Sequence, residues 1–187
     1  MGNRLTFPPY QPHDDSHWIR MEHVARKYAR KVGASWDKTW AMEVSSDGDL
    51  IPLLQAAPVN QLEVLVIHGS ADADTDRSDA ILTAQGIANL TLVLEHNRTL
   101  KAFVLTRNRV DLACAMLLCD SLRRLPALEV VGLWDNEMDS AVADYVLSEM
   151  KHLPSLVEVN LAGNMFCNGP EKEERLRKEG ATFRLRI

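Results

Sequence analysis

Histidine, cysteine and clustered aspartate are the residues here whose types can carry chemistry, and their spacing decides whether they do. The six histidines, His13, His17, His23, His68, His96 and His152, are scattered along the chain. None belongs to an HExxH pair, which would set two imidazoles on one helix face for zinc, and neither a GxSxG nucleophile turn nor a phosphate loop accompanies them. Cys114 and Cys119 lie five apart in an apolar segment, and with Cys167 the cysteines make an odd number without metal-ligand spacing. They read as small apolar residues of a reducing compartment. In DADTD, Asp72, Asp74 and Asp76 reproduce the first three ligand positions of a calcium loop. Arg77 then stands where the turn needs glycine and Thr83 where a bidentate glutamate should close the shell, so a solvated acidic loop is expected instead. No catalytic residue, cofactor or metal site is predicted.

A different chemistry is offered at the start of the chain. MGNRLT places Gly2 and Thr6 in the pattern for N-myristoylation. One acyl chain holds a protein to a membrane only marginally, so a second signal is needed. Residues 16 to 32 supply one: Arg20, Arg26, Lys27, Arg30 and Lys31 stand against Glu22 alone, and a basic cluster is attracted to an anionic leaflet. The same segment carries Trp18, Met21, Ala25, Tyr28 and Val32 near one helical face, with Ser16 as a cap. We read it first as a helix that, with Trp36, shields the end of the fold from water. A mitochondrial transit helix is the less attractive alternative and stays open, because Pro8, Pro9, Pro12, Asp14 and Asp15 come first.

Composition bounds the remaining classes. At 187 residues, 46% apolar and 25% charged, the chain suits one soluble domain or a short repeat array. No apolar run approaches the roughly 18 residues that a bilayer crossing requires. A net charge of −5 argues against a nucleic-acid-binding surface. A cytoplasmic protein is expected, with peripheral membrane association as the alternative.

The elements that must position any site are set by repetition. LKAFVLTRN from Leu100, LEVVGLWDN from Leu128 and LVEVNLAGN from Leu156 each carry apolar residues at their first, fourth and sixth positions and Asn at the ninth, with starts 28 residues apart. LEVLVIHGS from Leu62 is a further copy, 38 residues ahead of Leu100. Its surplus falls in the loop after the strand, around the acidic segment 72–79, because Leu82, Gly86, Ile87, Leu90 and Leu94 are in phase with Val110, Cys114, Ala115, Leu118 and Leu122. A degenerate unit begins at Asp37, with Trp40 and Met42 inward and DLIPLLQAA as its helix. Phe183 and Leu185 of FRLRI form a truncated closing strand. Two-residue alternation marks each strand and helical spacing each following segment, as in Val142, Ala143, Val146, Met150 and Leu153. One such unit cannot bury both its strand and its helix, so neighbours must stack. Asn108, Asn136 and Asn164 stand where each strand turns away, suited to satisfy backbone groups that the bend leaves unpaired.

This pattern resembles the leucine-rich repeat family, in its ribonuclease-inhibitor and tropomodulin-like branch, over about residues 62 to 187. The resemblance implies an α/β solenoid, with a curved parallel sheet on the concave side and helices on the convex side. It also implies an interaction module without catalytic residues. The family's glycine at the helix start is kept at Gly86 but replaced by Cys114, Val142 and Pro170, so helix entry in those units differs. The domain organisation expected is an arm over 1–15, a capping helix over 16–36 and repeats over 37–187.

Strand alternation aims the third, fifth and seventh positions of each unit at the concave face. Val64, Val66 and His68, Val104 and Thr106, Val130 and Trp134, and Glu158 and Asn160 are therefore expected to line it, with Arg107 and Asp135 at its border. Trp134 is expected to anchor a protein partner, since large aromatics dominate interfaces. Cover by the proline-rich arm LTFPPYQP is the competing reading, as contiguous apolar surface tends to be occupied. The function read from the sequence is thus a non-catalytic scaffold or adaptor, with the acylated, basic membrane adaptor as the alternative.

Overall fold

Alternating apolar residues build the strands of this protein and apolar residues at helical spacing build the helices between them. The computed structural model describes residues 15–55, 61–70, 82–165, 171, 174–175, 178 and 181–187, with backbone alone for 15–20. Gly2, the arm, the acidic segment 72–79, Cys167 and Pro170 lie outside the described residues, as does the Arg20 side chain. The elements are α1 (Asp15–Lys31), β1 (Thr39–Val44), α2 (Ile51–Gln55), β2 (Val64–Gly69), α3 (Ala84–Glu95), β3 (Ala102–Thr106), α4 (Leu112–Leu122), β4 (Val130–Gly132), α5 (Ser140–Met150), β5 (Glu158–Asn160) and β6 (Arg184–Arg186). Helix α1 begins before Ser16, which lies within its first turn rather than at its cap.

All six strands pair in parallel and in sequence order, from β1 to β6. Equivalent positions of successive units sit side by side: Leu65 beside Phe103, Phe103 beside Val131, Val131 beside Val159 and Val159 beside Leu185. These residues point to the helices, where Phe103, Leu65 and Val159 are fully buried. Trp40 joins the same core and Met42 packs against it. The buried faces of α3, α4 and α5 repeat in register, Ile87 with Ala115 and Ala143, Leu90 with Leu118 and Val146.

Helix entry is fixed by caps rather than by glycine. Thr83, Asp111 and Asp139 accept hydrogen bonds from the backbone N–H groups three residues on, those of Gly86, Cys114 and Val142, which satisfies donors that the first turn leaves unpaired. Gly86 answers a local need instead: a Cβ there would lie 1.9 Å from Asp47 Oδ1, and Asp47 accepts the Thr83 N–H at 2.9 Å.

The asparagines tie one unit to the next. Asn136 Oδ1 accepts the Asn108 N–H at 2.8 Å and Asn164 Oδ1 accepts the Asn136 N–H at 2.9 Å. Their amide groups donate to strand carbonyls, Asn136 to Leu105 at 2.8 Å and Asn164 to Leu133 at 2.8 Å. Across the first three strands Glu63 pairs with Lys38 at 3.0 Å and Lys101 at 3.1 Å. Burial acts to raise its carboxyl, but the bonds from the two ammonium groups outweigh that and hold it below the usual range.

Candidate functional site

The opposite face of the sheet is covered by α1. Met21, Ala25, Tyr28, Ala29 and Val32 form one cluster with Ala41, Val64, Val66, Ala102, Val104 and Val130, against which Trp36 and Trp134 pack. Small residues on both sides let the helix approach the sheet closely. The helix expected to shield the first repeat therefore lies over strands β1 to β4. Val64, Val66, Val104 and Val130, expected to meet a partner, are instead buried by the chain's own helix, with exposures of 1% or less.

Polar contacts hold the helix in place. Lys31 pairs with the buried Glu158, whose other oxygen is 3.1 Å from Arg186 Nε. Tyr28 hydrogen-bonds Asn160, and burial pushes its phenol above the ordinary range. Glu158 and Asn160, also expected at a partner surface, are thus engaged internally. Arg26 bonds Glu22 at 2.7 Å and lies 4.4 Å over the Trp36 ring. Of the residues expected to face a membrane, Lys31 is committed to Glu158, while Lys27 and Arg30 project to solvent.

Trp134 is half-buried. Its ring stacks on Tyr28, with centroids 5.8 Å apart and planes 17° from parallel. It lies over Gly132, where a Cβ would come within 2.5 Å of its ring. The indole is neither free, as the sequence suggested, nor sealed inside.

Beyond the edge of α1, toward the ends of β2 to β4, a cavity of about 360 Å³ remains open. Val66, Trp134, Met21 and Val24 give it apolar walls, and His68, Thr106, Arg107 and Asp135 give it a polar side. His68 Nδ1 and Thr106 Oγ1 share a hydrogen bond of 2.7 Å, which fixes the imidazole. Arg107 and Asp135 occupy equivalent places after their strands and both have left-handed backbone, φ 55° and 56°, as does Gly163 at φ 70° in the next unit. Their backbones are pinned beside Asn108 and Asn136, members of the ladder. Neither Arg107 nor Asp135 forms an ion pair among the described residues. Met21 and Val24 were not foreseen here; the apolar stripe of α1 was legible, but its target was not.

Among the described residues no group of three His, Cys, Asp or Glu side chains is placed to hold a metal, and no helix is long and apolar enough to cross a membrane. Cys114 and Cys119 are buried. Burial pushes their thiols up to about 11 and about 12 respectively, helped at Cys114 by the Asp111 carboxylate and at Cys119 by Glu149. Thiolate is the reactive species. In a Cys167→Ala chain, Ellman's reagent at pH 8 is therefore expected to leave both thiols essentially unmodified while folded and to titrate both once urea unfolds the protein; fast native labelling would contradict their burial.

No family model matches the chain. Over 112 residues it is 30% identical to the Homo sapiens protein named "NACHT, LRR and PYD domains-containing protein 13". That match takes in 55% of this chain and 11% of the relative, so the chain spans about a tenth of the relative's length. It is similar to a solved structure described as "Leiomodin-1 Actin-Binding Site 2 (ABS2)", at 21% identity and a TM-score of 0.48, covering 60% of this chain and 68% of that one. The sequence relationship agrees with the repeat geometry on a fold of leucine-rich-repeat type.

Proposed function

We propose that this chain is a non-catalytic scaffold or adaptor of the 28-residue leucine-rich-repeat branch, which engages a protein partner through the notch between α1 and the ends of β2 to β4. The observation that carries this reading is a cavity with apolar walls whose rim holds a guanidinium and a carboxylate, Arg107 and Asp135, neither in an ion pair among the described residues. Interfaces concentrate their energy where an aromatic anchor lies within a polar border, and Trp134 provides that arrangement. Because α1 covers the face over β1 to β4, the site is smaller than an open sheet and admits one or two side chains rather than a broad surface.

Site-specific photo-cross-linking in the source cell tests the reading. A photoreactive residue replacing Arg107 is expected to form a discrete protein adduct that is lost when Val24→Trp fills the cavity. The same group replacing Asp120, exposed on α4 away from the notch, is expected to form none. Equal adducts at both positions, or none at position 107, would defeat the assignment of this surface.

A further inference from the structure

The charges around the notch differ from those of the rest of the molecule. The chain as a whole carries −5, yet two cations without ion pairs among the described residues stand at the notch: Arg107 at the rim and the exposed Lys27 of α1. Lys27 follows Val24 by three residues, so it stands on the flank of α1 that meets the cavity. Several cations elsewhere are neutralised locally, Lys38 and Lys101 by Glu63, Arg109 by Glu137 and Arg123 by Asp120, while Arg98, among the described residues, donates only to backbone carbonyls. Among the described residues Asp135 is the one acid lining the cavity, and Glu43 stands beside His68 on the neighbouring strand. Asp135 sits on a fixed left-handed backbone beside Arg107, where it can accept an N–H while the guanidinium takes a carboxylate.

Resting on the interaction reading above, we infer that the notch binds an extended acidic peptide segment of a partner protein, seating one large apolar side chain against Trp134 and pairing an adjacent carboxylate with Arg107. A cavity of about 360 Å³ suits such a side chain. Trp134 and the side chains of Val66, Met21 and Val24 give it an apolar seat. Arg107 at the rim, with Lys27 on the adjacent flank of α1, favours an acidic segment at this place on a chain whose net charge is −5. A basic segment would meet like charge at Arg107 and Lys27.

Selection of a random linear peptide library on the full-length chain, with counter-selection on the Val24→Trp chain, tests this. Enriched peptides are expected to carry a large apolar residue next to Asp or Glu. A synthetic representative is expected to lose about tenfold in affinity for Arg107→Glu, and to weaken as salt rises from about 50 to about 500 mM. Circular dichroism of both variants guards against misfolding, and Arg107→Glu, at a half-exposed rim position, keeps the test decisive should Val24→Trp fail to fold. Cavity-dependent peptides with no acidic excess would overturn this inference and leave the interaction site standing. No cavity-dependent enrichment would also overturn it, while cross-linking at position 107 judges the site separately. Arg107-dependent binding to phosphatidylserine vesicles without peptide enrichment would overturn it in favour of a lipid surface.

Discussion

Replacing Asn136 by alanine is expected to lower the unfolding free energy by about 2–4 kcal/mol, more than any other single polar truncation in the repeats. Asn136 has no exposed surface. Its oxygen accepts the Asn108 N–H and its amide donates to the Leu105 carbonyl, both at 2.8 Å. Alanine would leave one donor and one acceptor buried and unpaired, at about 1–3 kcal/mol each, with partial relief if water enters. Asn164→Ala deletes equivalent bonds at a half-exposed site, where water can replace them, so a loss of about 1–2 kcal/mol is expected there. Urea unfolding with an unchanged slope measures both. Equal costs at the two positions would mean that burial of the amide does not govern the ladder.

That ladder was legible in the sequence because its cause is repetitive: the same amide recurs at the same bend, and only one role suits a polar residue there. Phase also revealed the core, since Leu65, Phe103, Val131 and Val159 share a position in their units and a side of the sheet. The helix caps were just as legible and were overlooked. Thr83, Asp111 and Asp139 recur in phase, three residues ahead of Gly86 and of Cys114 and Val142, which stand in place of glycine. A capping side chain satisfies the first turn whatever residue follows, which is why Cys114 and Val142 enter their helices without difficulty.

The covered face was legible only in part, for a physical reason. Alternation establishes that Val64, Val66, Val104 and Val130 share the face away from the helices, and so large an apolar surface is seldom left bare. It does not identify the cover. The stripe of Met21, Ala25, Tyr28 and Val32 establishes that α1 buries one side, but periodicity is silent on which surface receives it. Joining the two required the long-range contacts of Tyr28 with Trp134 and of Lys31 with Glu158. Once they are joined, the proposed binding site shrinks from a whole face to the notch that α1 leaves open.

Ala25→Glu is the change expected to undo that arrangement. Ala25 is fully buried between α1 and the sheet, where its neighbours Ala41, Val64 and Val66 offer a carboxylate nothing to bond. Holding an unpaired charge there costs several kcal/mol, and the chain has a cheaper escape in releasing the helix. The loss of stability is then capped at the free energy with which α1 docks, which we place at about 2–4 kcal/mol, a sub-global share of the whole. A free helix of 17 residues is marginal in water and should melt. Hydrogen exchange is therefore expected to lose protection through α1 while β3 and α4 keep theirs, and an apolar dye is expected to bind the bared sheet. Arg30→Glu, on the solvent side of the same helix, should change stability by no more than about 0.5 kcal/mol. Protection of α1 that survives in the Ala25→Glu chain would show that its grip does not depend on this seam. If the helix is released, Met21 and Val24 leave the cavity, and peptide binding should vanish even though Arg107 and Trp134 are unaltered. That loss would separate a site built by the docked helix from one carried by the repeats alone.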